Sequence, residues 1–417
     1  MINGEIMTTV KFLNGSRDIL GNIVEIHTKT SRVIVDFGMM GRYKKDRVDS
    51  LLKSQILPDL PDLFTKKSSK YQQQAIVLTH FGMENLNAAL YLQSDIKIYV
   101  PAYGLKLYQT LVENDLIQPL DAQLLELPDK LTIGDLTVKG FASDSDVFGV
   151  QSLLISDGPH NFGVSGDVRV NGPHRDEVYK WIRKFHKKEL ELFLFDATSY
   201  SFSKHCQLFA VDEYTLRKQF ADLVVQRRDL MVINLDIFNV DRVVRLVKKA
   251  HHLDRKMVLE EAFAKVVKEF FPDLKLIVLA ESRANKKAVS NDFEIVSLKD
   301  IKQTPKKYVL QNSFGNISFL KKLPSGLYLH SNGFPEISSD RDYDCLRNVL
   351  KKHAFQYIDF SASGHANKQD LVFLVDAVKA KKTVPWHSYH PELAISAIKD
   401  LPTKFVLPKL DKKLYFK

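Results

Sequence analysis

Cysteine is scarce: only Cys206 and Cys345 occur in 417 residues, and neither belongs to a CxxC pair. This excludes a disulfide framework and a cysteine-rich zinc site, and makes a reducing cytoplasm the expected setting. Long apolar runs are missing as well. No stretch approaches the roughly 20 residues needed to span a bilayer, so no membrane association is expected. The opening MINGEIMTTVKFLNG lacks the charged start, apolar run and cleavage site of a signal peptide. There is no internal repeat, no low-complexity linker, and no Walker, RNP or KH signature. Nothing in the sequence bears on oligomeric state.

What is present is an ordinary globular composition, 45% hydrophobic and 26% charged, in a chain long enough for two domains or one large domain with an insertion. The net charge is +10, and half of it arises between Leu371 and Lys417, where nine Lys face four Asp or Glu. Such a surface either holds phosphates through counterion release or is simply a solvated Lys-rich face.

Strand-like runs alternate with turns and helices along the first part of the chain. TVKFL, NIVEIHT and SRVIVDFG read as successive strands, and AIVLTH as a buried strand before a helix around NLNAALYLQS. RDEVYKWIRKFHKK has helical apolar spacing, and ELELFLFDATS is a buried strand ending in an aspartate. The middle changes character. EYTLRKQFADLVVQ and VDRVVRLVKKAHHL are amphipathic helices beside the strands DLMVINL and RKMVLEE, which makes a separate α/β unit. The first rhythm returns after Leu350. An α/β host domain over 1–199 and 349–417 with an insertion over 200–348 is the expected organisation.

Several acidic and histidine residues follow buried strands, where loops aim them into a shared cleft. They are His80, Glu84, Asp167, Asp196, His365 and His387. Each has a bland explanation taken singly. A lone His is more often a satisfied residue than a ligand, Asp196 suits a helix cap, and Asp167 suits an Asx turn after Gly166. Their order is the informative feature.

That order, LTHFGMEN, DSDVFG, SGDVRVNG, FDATS, SASGHANKQDL and VPWHSYHPE, resembles the metallo-β-lactamase superfamily, in its nucleic-acid-processing β-CASP branch that includes RNase J. The resemblance spans nearly the whole chain and includes FNVDRVVRLVKKAHHLDRKMVLEEAFAKVV. It implies a four-layer αβ/βα sandwich with an inserted β-CASP domain. The chain stops soon after the last motif, so the extra C-terminal domain of typical RNase J is expected to be missing.

The resemblance also implies a metal site, and the motif has holes in it. LTHFGMEN stands at the family's HxHxDH box and DSDVFG at its DHSxxG-type motif. The first ion would use His80, Asp167 and the residues at 82 and 145, but those are Gly82 and Ser145. The second would use Glu84, Asn85, Asp167 and His387, an oxygen-rich set that suits Mn²⁺ or Mg²⁺ better than Zn²⁺. The expectation is one divalent ion or none. Asp196 and His365 match the β-CASP pair that places the leaving group and passes it a proton. His390, three residues beyond His387, is a spare imidazole.

The helix VDRVVRLVKKAHHL places Arg242, Arg245, Lys248 and Lys249 on adjoining turns, a face that follows a phosphate backbone or is merely solvated. Tyr200, Phe202 and Phe238 offer rings for stacking or for the core. RNA or another nucleic acid is the expected partner. A β-CASP protein degenerate in two-metal hydrolysis is therefore expected. The alternatives are an RNase or phosphodiesterase with a rebuilt single-metal site and a small-molecule hydrolase, against which Asp196 and His365 argue.

Overall fold

The computed structural model describes residues 7–39, 47–202, 212–283, 292–332 and 340–417. Cys206 lies outside these residues, and Cys345 is exposed. The chain divides into two compact units. The first comprises Met1–Tyr108, Pro119–Cys206 and Gly364–Lys417, and the second Gln109–Gln118 and Gln207–Ser363.

Two seven-stranded sheets build the first unit. One contains β1 (Thr8–Asn14), β2 (Ile23–His27), β3 (Ser31–Val35), β4 (Gln73–Val77), β5 (Lys97–Val100), β6 (Gln123–Glu126) and, from the far end of the chain, β21 (Lys413–Phe416). Its order is β21-β1-β2-β3-β4-β5-β6. The other contains β7 (Leu131–Ile133), β8 (Leu136–Ala142), β9 (Gln151–Ser156), β10 (Asn161–Val164), β11 (Leu192–Asp196), β19 (Lys382–Trp386) and β20 (Lys404–Phe405). Its order is β20-β19-β11-β10-β9-β8-β7.

Strict alternation along the strands explains how the two sheets meet. Val10 and Phe12, Val24 and Ile26, Val33 and Val35, and Ala75 and Val77 point to one face. There they share a core with Leu153, Ile155, Phe162, Val164, Leu192 and Leu194 of the second sheet. The intervening residues Ile34, Ile76 and Ile98 are buried too, so the first sheet is covered on both faces. The outer face of the second sheet, with Phe193 and Phe195, packs against Trp181 and Phe185 of the helix Arg175–Lys187 and Leu371 and Leu374 of the helix Lys368–Val378. Each such side chain, taken out of water, contributes about 1.5–3 kcal/mol.

Strand direction then fixes where polar residues gather. β3 and β4 run parallel in the first sheet, as do β10, β11 and β19 in the second. In open α/β sheets the loops beyond the carboxyl ends of parallel strands form the ligand crevice. Asp36, His80, Asp167, Asp196 and His387 all lie at or just after such ends.

The second unit is one parallel sheet of β12 (Leu230–Leu235), β13 (Lys256–Leu259), β14 (Ile277–Leu279), β15 (Glu294–Val296), β16 (Tyr308–Gln311), β17 (Gly326–Ser331) and β18 (Gln356–Asp359). The order is β15-β14-β13-β16-β12-β17-β18, and LMVINL of β12 is buried throughout, as a central parallel strand should be.

A buried ion pair ties two of its helices together. Arg242, in the first turn of Val240–His252, is 4% exposed; its Nη2 donates to Glu213 Oε1 at 2.6 Å and to the Ala362 carbonyl at 2.9 Å. Removing one partner strands a buried charge. Arg242→Ala should therefore destabilise the protein by about 3–5 kcal/mol, while Lys248→Ala, on the exposed part of the same helix, should stay within about 0.5 kcal/mol. Urea unfolding midpoints check this, and equal effects would contradict it.

Candidate functional site

Six of the expected residues converge in the first unit. Asp196 ends β11, and its carboxylate is saturated: Oδ1 accepts from the Thr198 N–H at 3.0 Å and Thr198 Oγ1 at 2.6 Å, and Oδ2 from the Val168 N–H at 3.1 Å and His365 Nδ1 at 2.6 Å. His365 enters on the loop before the helix Lys368–Val378 and is oriented by this bond. Asp167 follows Gly166, whose φ of +60° is a left-handed conformation that glycine adopts without strain. His387 Nδ1 stands 3.1 Å from Asp167 Oδ1, a charge contact out of line for a hydrogen bond. His80 Nε2 is 3.8 Å from Asp167 Oδ2.

Glu84 lies against Gly82. Its carboxylate accepts from His80 Nε2 at 2.9 Å and lies directly over Gly82. A Cβ placed on Gly82 would meet Glu84 Oε1 at 2.4 Å and Oε2 at 2.6 Å. The carboxylate thus fills the space that a side chain at 82 would take. Asn85, the third residue of the helix Met83–Ala89, is also committed, because its Oδ1 caps the Gly82 N–H at 3.0 Å. Ser145 Oγ accepts from the Val147 N–H at 3.0 Å.

The electrostatics are those of a self-neutralising cluster. Burial alone would lower the His80 pKa, but the charges of Asp167, Glu84 and Asp36 and the bond to Glu84 outweigh it and raise the value to about 10. Burial of His365 is likewise outweighed, by Asp196, Asp167 and Asp146, and its pKa also stands at about 10. His387 is raised, against burial, chiefly by Asp167. Asp167 moves the other way: burial favours its neutral form, but the three imidazoles hold it far below the usual carboxylate range.

Asp36 belongs here although the motifs do not include it. Burial raises its pKa, with His80 and His387 opposing. Its Oδ1 accepts from the Thr79 N–H at 2.8 Å, whereas its buried Oδ2 has no hydrogen-bond partner. Asp36 and His387 both sit at positive φ, +53° and +52°, a strained conformation for non-glycine residues that clusters at functional sites. The signal was in VIVDFG, an aspartate closing a buried strand as in FDATS. Asp146 was equally missed; its carboxylate packs over Gly364, where no Cβ would fit.

Asp167, Asp196 and His365 have ligand atoms within 4.8 Å of one another. Asp196 already accepts four hydrogen bonds, so its chemistry is that of an orienting carboxylate behind an imidazole. Such a pair holds a proton for transfer. Asn85 contributes an amide already engaged by backbone, and His390, half exposed, faces Glu392 at 3.6 Å, away from the cluster's pairs. In the second unit, Arg245, Lys248 and Lys249 line one surface groove. Arg242 does not share it, being buried against Glu213. Tyr200 and Phe238 are buried, at 6% exposure each.

The comparisons bear on fold. No protein-family model and no curated protein matches the sequence. The crystal structure of a protein of unknown function from Enterococcus faecalis V583 matches with a TM-score of 0.83 at 22% identity, covering 98% of this chain and all of that one. The two share a fold, mixed α/β with several sheets. The metallo-β-lactamase fold protein YhfI from Bacillus subtilis matches over 51% of this chain and 80% of its own at 14% identity, with a TM-score of 0.33. Among the described residues, no helix is long and apolar enough to cross a membrane.

Protonated His80 and His365 give the cluster a pH dependence of definite sign. Each has a folded pKa of about 10 against an ordinary 6.5. The stability they contribute is therefore complete below about pH 6.5 and lost as pH rises through about 10. The thermal midpoint should fall across that window, and the fall should be shallower in His365→Asn. An unchanged slope in the variant would remove His365 from the account.

Proposed function

We propose that this chain is an RNase J-like β-CASP member of the metallo-β-lactamase superfamily that keeps the fold and nucleic-acid binding and has lost two-metal hydrolysis. One observation carries the reading: the Glu84 carboxylate occupies the space above Gly82 and closes on His80. In two-metal hydrolysis two cations about 3.5–4 Å apart stabilise the attacking and leaving oxygens, and each ion needs several imidazole or carboxylate ligands. Position 82 offers no side-chain atom, and Ser145 replaces an imidazole with a hydroxyl. The residues present do not fit a paired-metal group, and no hydrolytic step is derived through one. Asp196 and His365 can still hold a proton, but an acid without an activated nucleophile contributes little. The chain would then bind its ligand and leave it whole.

A second reading has its own support. Asp36 Oδ2 and Asp167 Oδ1 are buried carboxylate oxygens without hydrogen-bond partners, as oxygens kept for a cation would be. One Mn²⁺ or Mg²⁺ at Glu84, Asp167 and His387 would make a rebuilt single-metal phosphodiesterase.

Elemental analysis after incubation with Mn²⁺ and gel filtration separates the two. Sub-stoichiometric metal, with 5′-monophosphorylated RNA left uncut, is expected. One retained ion per chain, lost in Asp167→Asn, would favour the second reading. The combined variant Gly82→His, Glu84→Asp, Asn85→His and Ser145→His restores the missing donors and shortens the side chain that blocks position 82. It should retain metal where the parent does not.

A further inference from the structure

The basic residues of the helix Val240–His252 separate into an inward and an outward set. Arg245, Lys248 and Lys249 join Arg217, from the helix Glu213–Gln226, around a groove of about 350 Å³ in which Asp241 is the one carboxylate. None of these four cations is ion-paired among the described residues, and Arg245 Nε is buried without a hydrogen-bond partner. Paired surface lysines would be ordinary; four cations without ion-pair partners sharing one concavity with a single carboxylate favour an anion there.

A second lobe of about 370 Å³ shares Lys248 with the first, and Phe271 lines both. It continues over Phe270, Pro272 and Leu274, with Asp273 also in its lining. Lys248 Nζ lies 5.6 Å from the centre of the Phe271 ring, at the junction. The groove is therefore cationic at one end and apolar and aromatic at the other. A bare inorganic anion would leave the second lobe without a role, and an apolar ligand would leave the first.

We propose that this groove binds a nucleoside phosphate, the phosphate against Arg217, Arg245 and Lys249 and the base against Phe271. Guanidinium groups suit phosphate oxygens through paired N–H donors, and an aromatic face accepts any base by stacking. A free mononucleotide and one nucleotide of an RNA strand present this same chemistry. The RNA source rests on the nucleic-acid reading above, while the mononucleotide source stands without it.

The test uses the full chain and two probes, a fluorescent AMP derivative and a fluorescein-labelled single-stranded oligo(A), each titrated at rising salt. Lys248→Glu should weaken binding of whichever probe is held by about tenfold or more and lower the oligo(A) log–log salt slope by about one per cation removed. Arg245→Glu should do the same, and Lys299→Glu, an equal charge change at an exposed site outside the groove, should leave binding unchanged. AMP held as tightly as oligo(A) identifies the mononucleotide source; binding of oligo(A) alone identifies the strand. No binding of either probe, or equal weakening by Lys299→Glu, would overturn the proposal. Metal content and RNA cleavage are read on the same preparations. A groove that fails to bind therefore leaves the lost-metal reading standing, and a metal-loaded enzyme leaves the groove standing.

Discussion

Charge pairing inside the cleft of the first unit governs everything else found there. Asp36, Asp167 and Asp196 are 3%, 8% and 2% exposed, and a buried carboxylate without a compensating partner is among the most costly things a fold can contain. Around Asp167 the offsetting cations are imidazoles, which its carboxylate in turn holds protonated. The backbone bends to serve the pairing. Asp36 and His387 take left-handed conformations, and Gly166 supplies a third such residue just before Asp167. Within that constraint the behaviour of Glu84 is intelligible: with only glycine at 82, its carboxylate has room to turn to the nearest cation, His80.

The second unit also gathers buried polar groups at the carboxyl ends of its strands. Its register sets Asn234 of β12 beside His330 of β17, and Asn312, following β16, donates its N–H to the Ile233 carbonyl. A row of polar side chains thus crosses the carboxyl ends of this sheet, with Glu260 at one end accepting from Ser313, Asn312 and Asn316. His330, fully buried with neither ring nitrogen hydrogen-bonded, is pushed by burial down to about 4 and stays neutral. One histidine, whose burial outweighs the charge of Asp359, is therefore uncharged, and another beside two carboxylates is an imidazolium, although both are buried. Environment, not residue type, sets the charge.

Strand positions and the inward faces of strands were legible because alternation is local, and Asp167, Asp196 and His387 were legible because each ends or follows a buried strand; His365 follows the half-exposed β18 and was read from SASGHANKQDL alone. Strand order was not. β21 pairs with β1, joining Phe416 to Thr8 across almost the whole chain, and no local pattern encodes that. The relation of Glu84 to Gly82 was hidden for a different reason, since it depends on a side chain folding back over its own helix start. Arg242 was misjudged on spacing: three residues from Arg245 looks like one face. Leu246, one turn beyond Arg242 and 1% exposed, held the clue that this side of the helix is buried.

The hydrogen bonds of Asp196 are structural before they are anything else. Asp196 joins the end of β11 to Val168, to Thr198 and, through its own N–H, to Ser165 Oγ at 2.9 Å. The Thr198 hydroxyl, whose proton goes to Asp196 Oδ1, also lies 3.0 Å from the His387 carbonyl. Losing that carboxylate would leave several buried donors unpaired, a cost that falls on the fold whatever the chemistry. The hydrogen bonds of Asp196 are thus sufficient by themselves to keep the carboxylate in place, and its pairing with His365 carries no weight for hydrolysis.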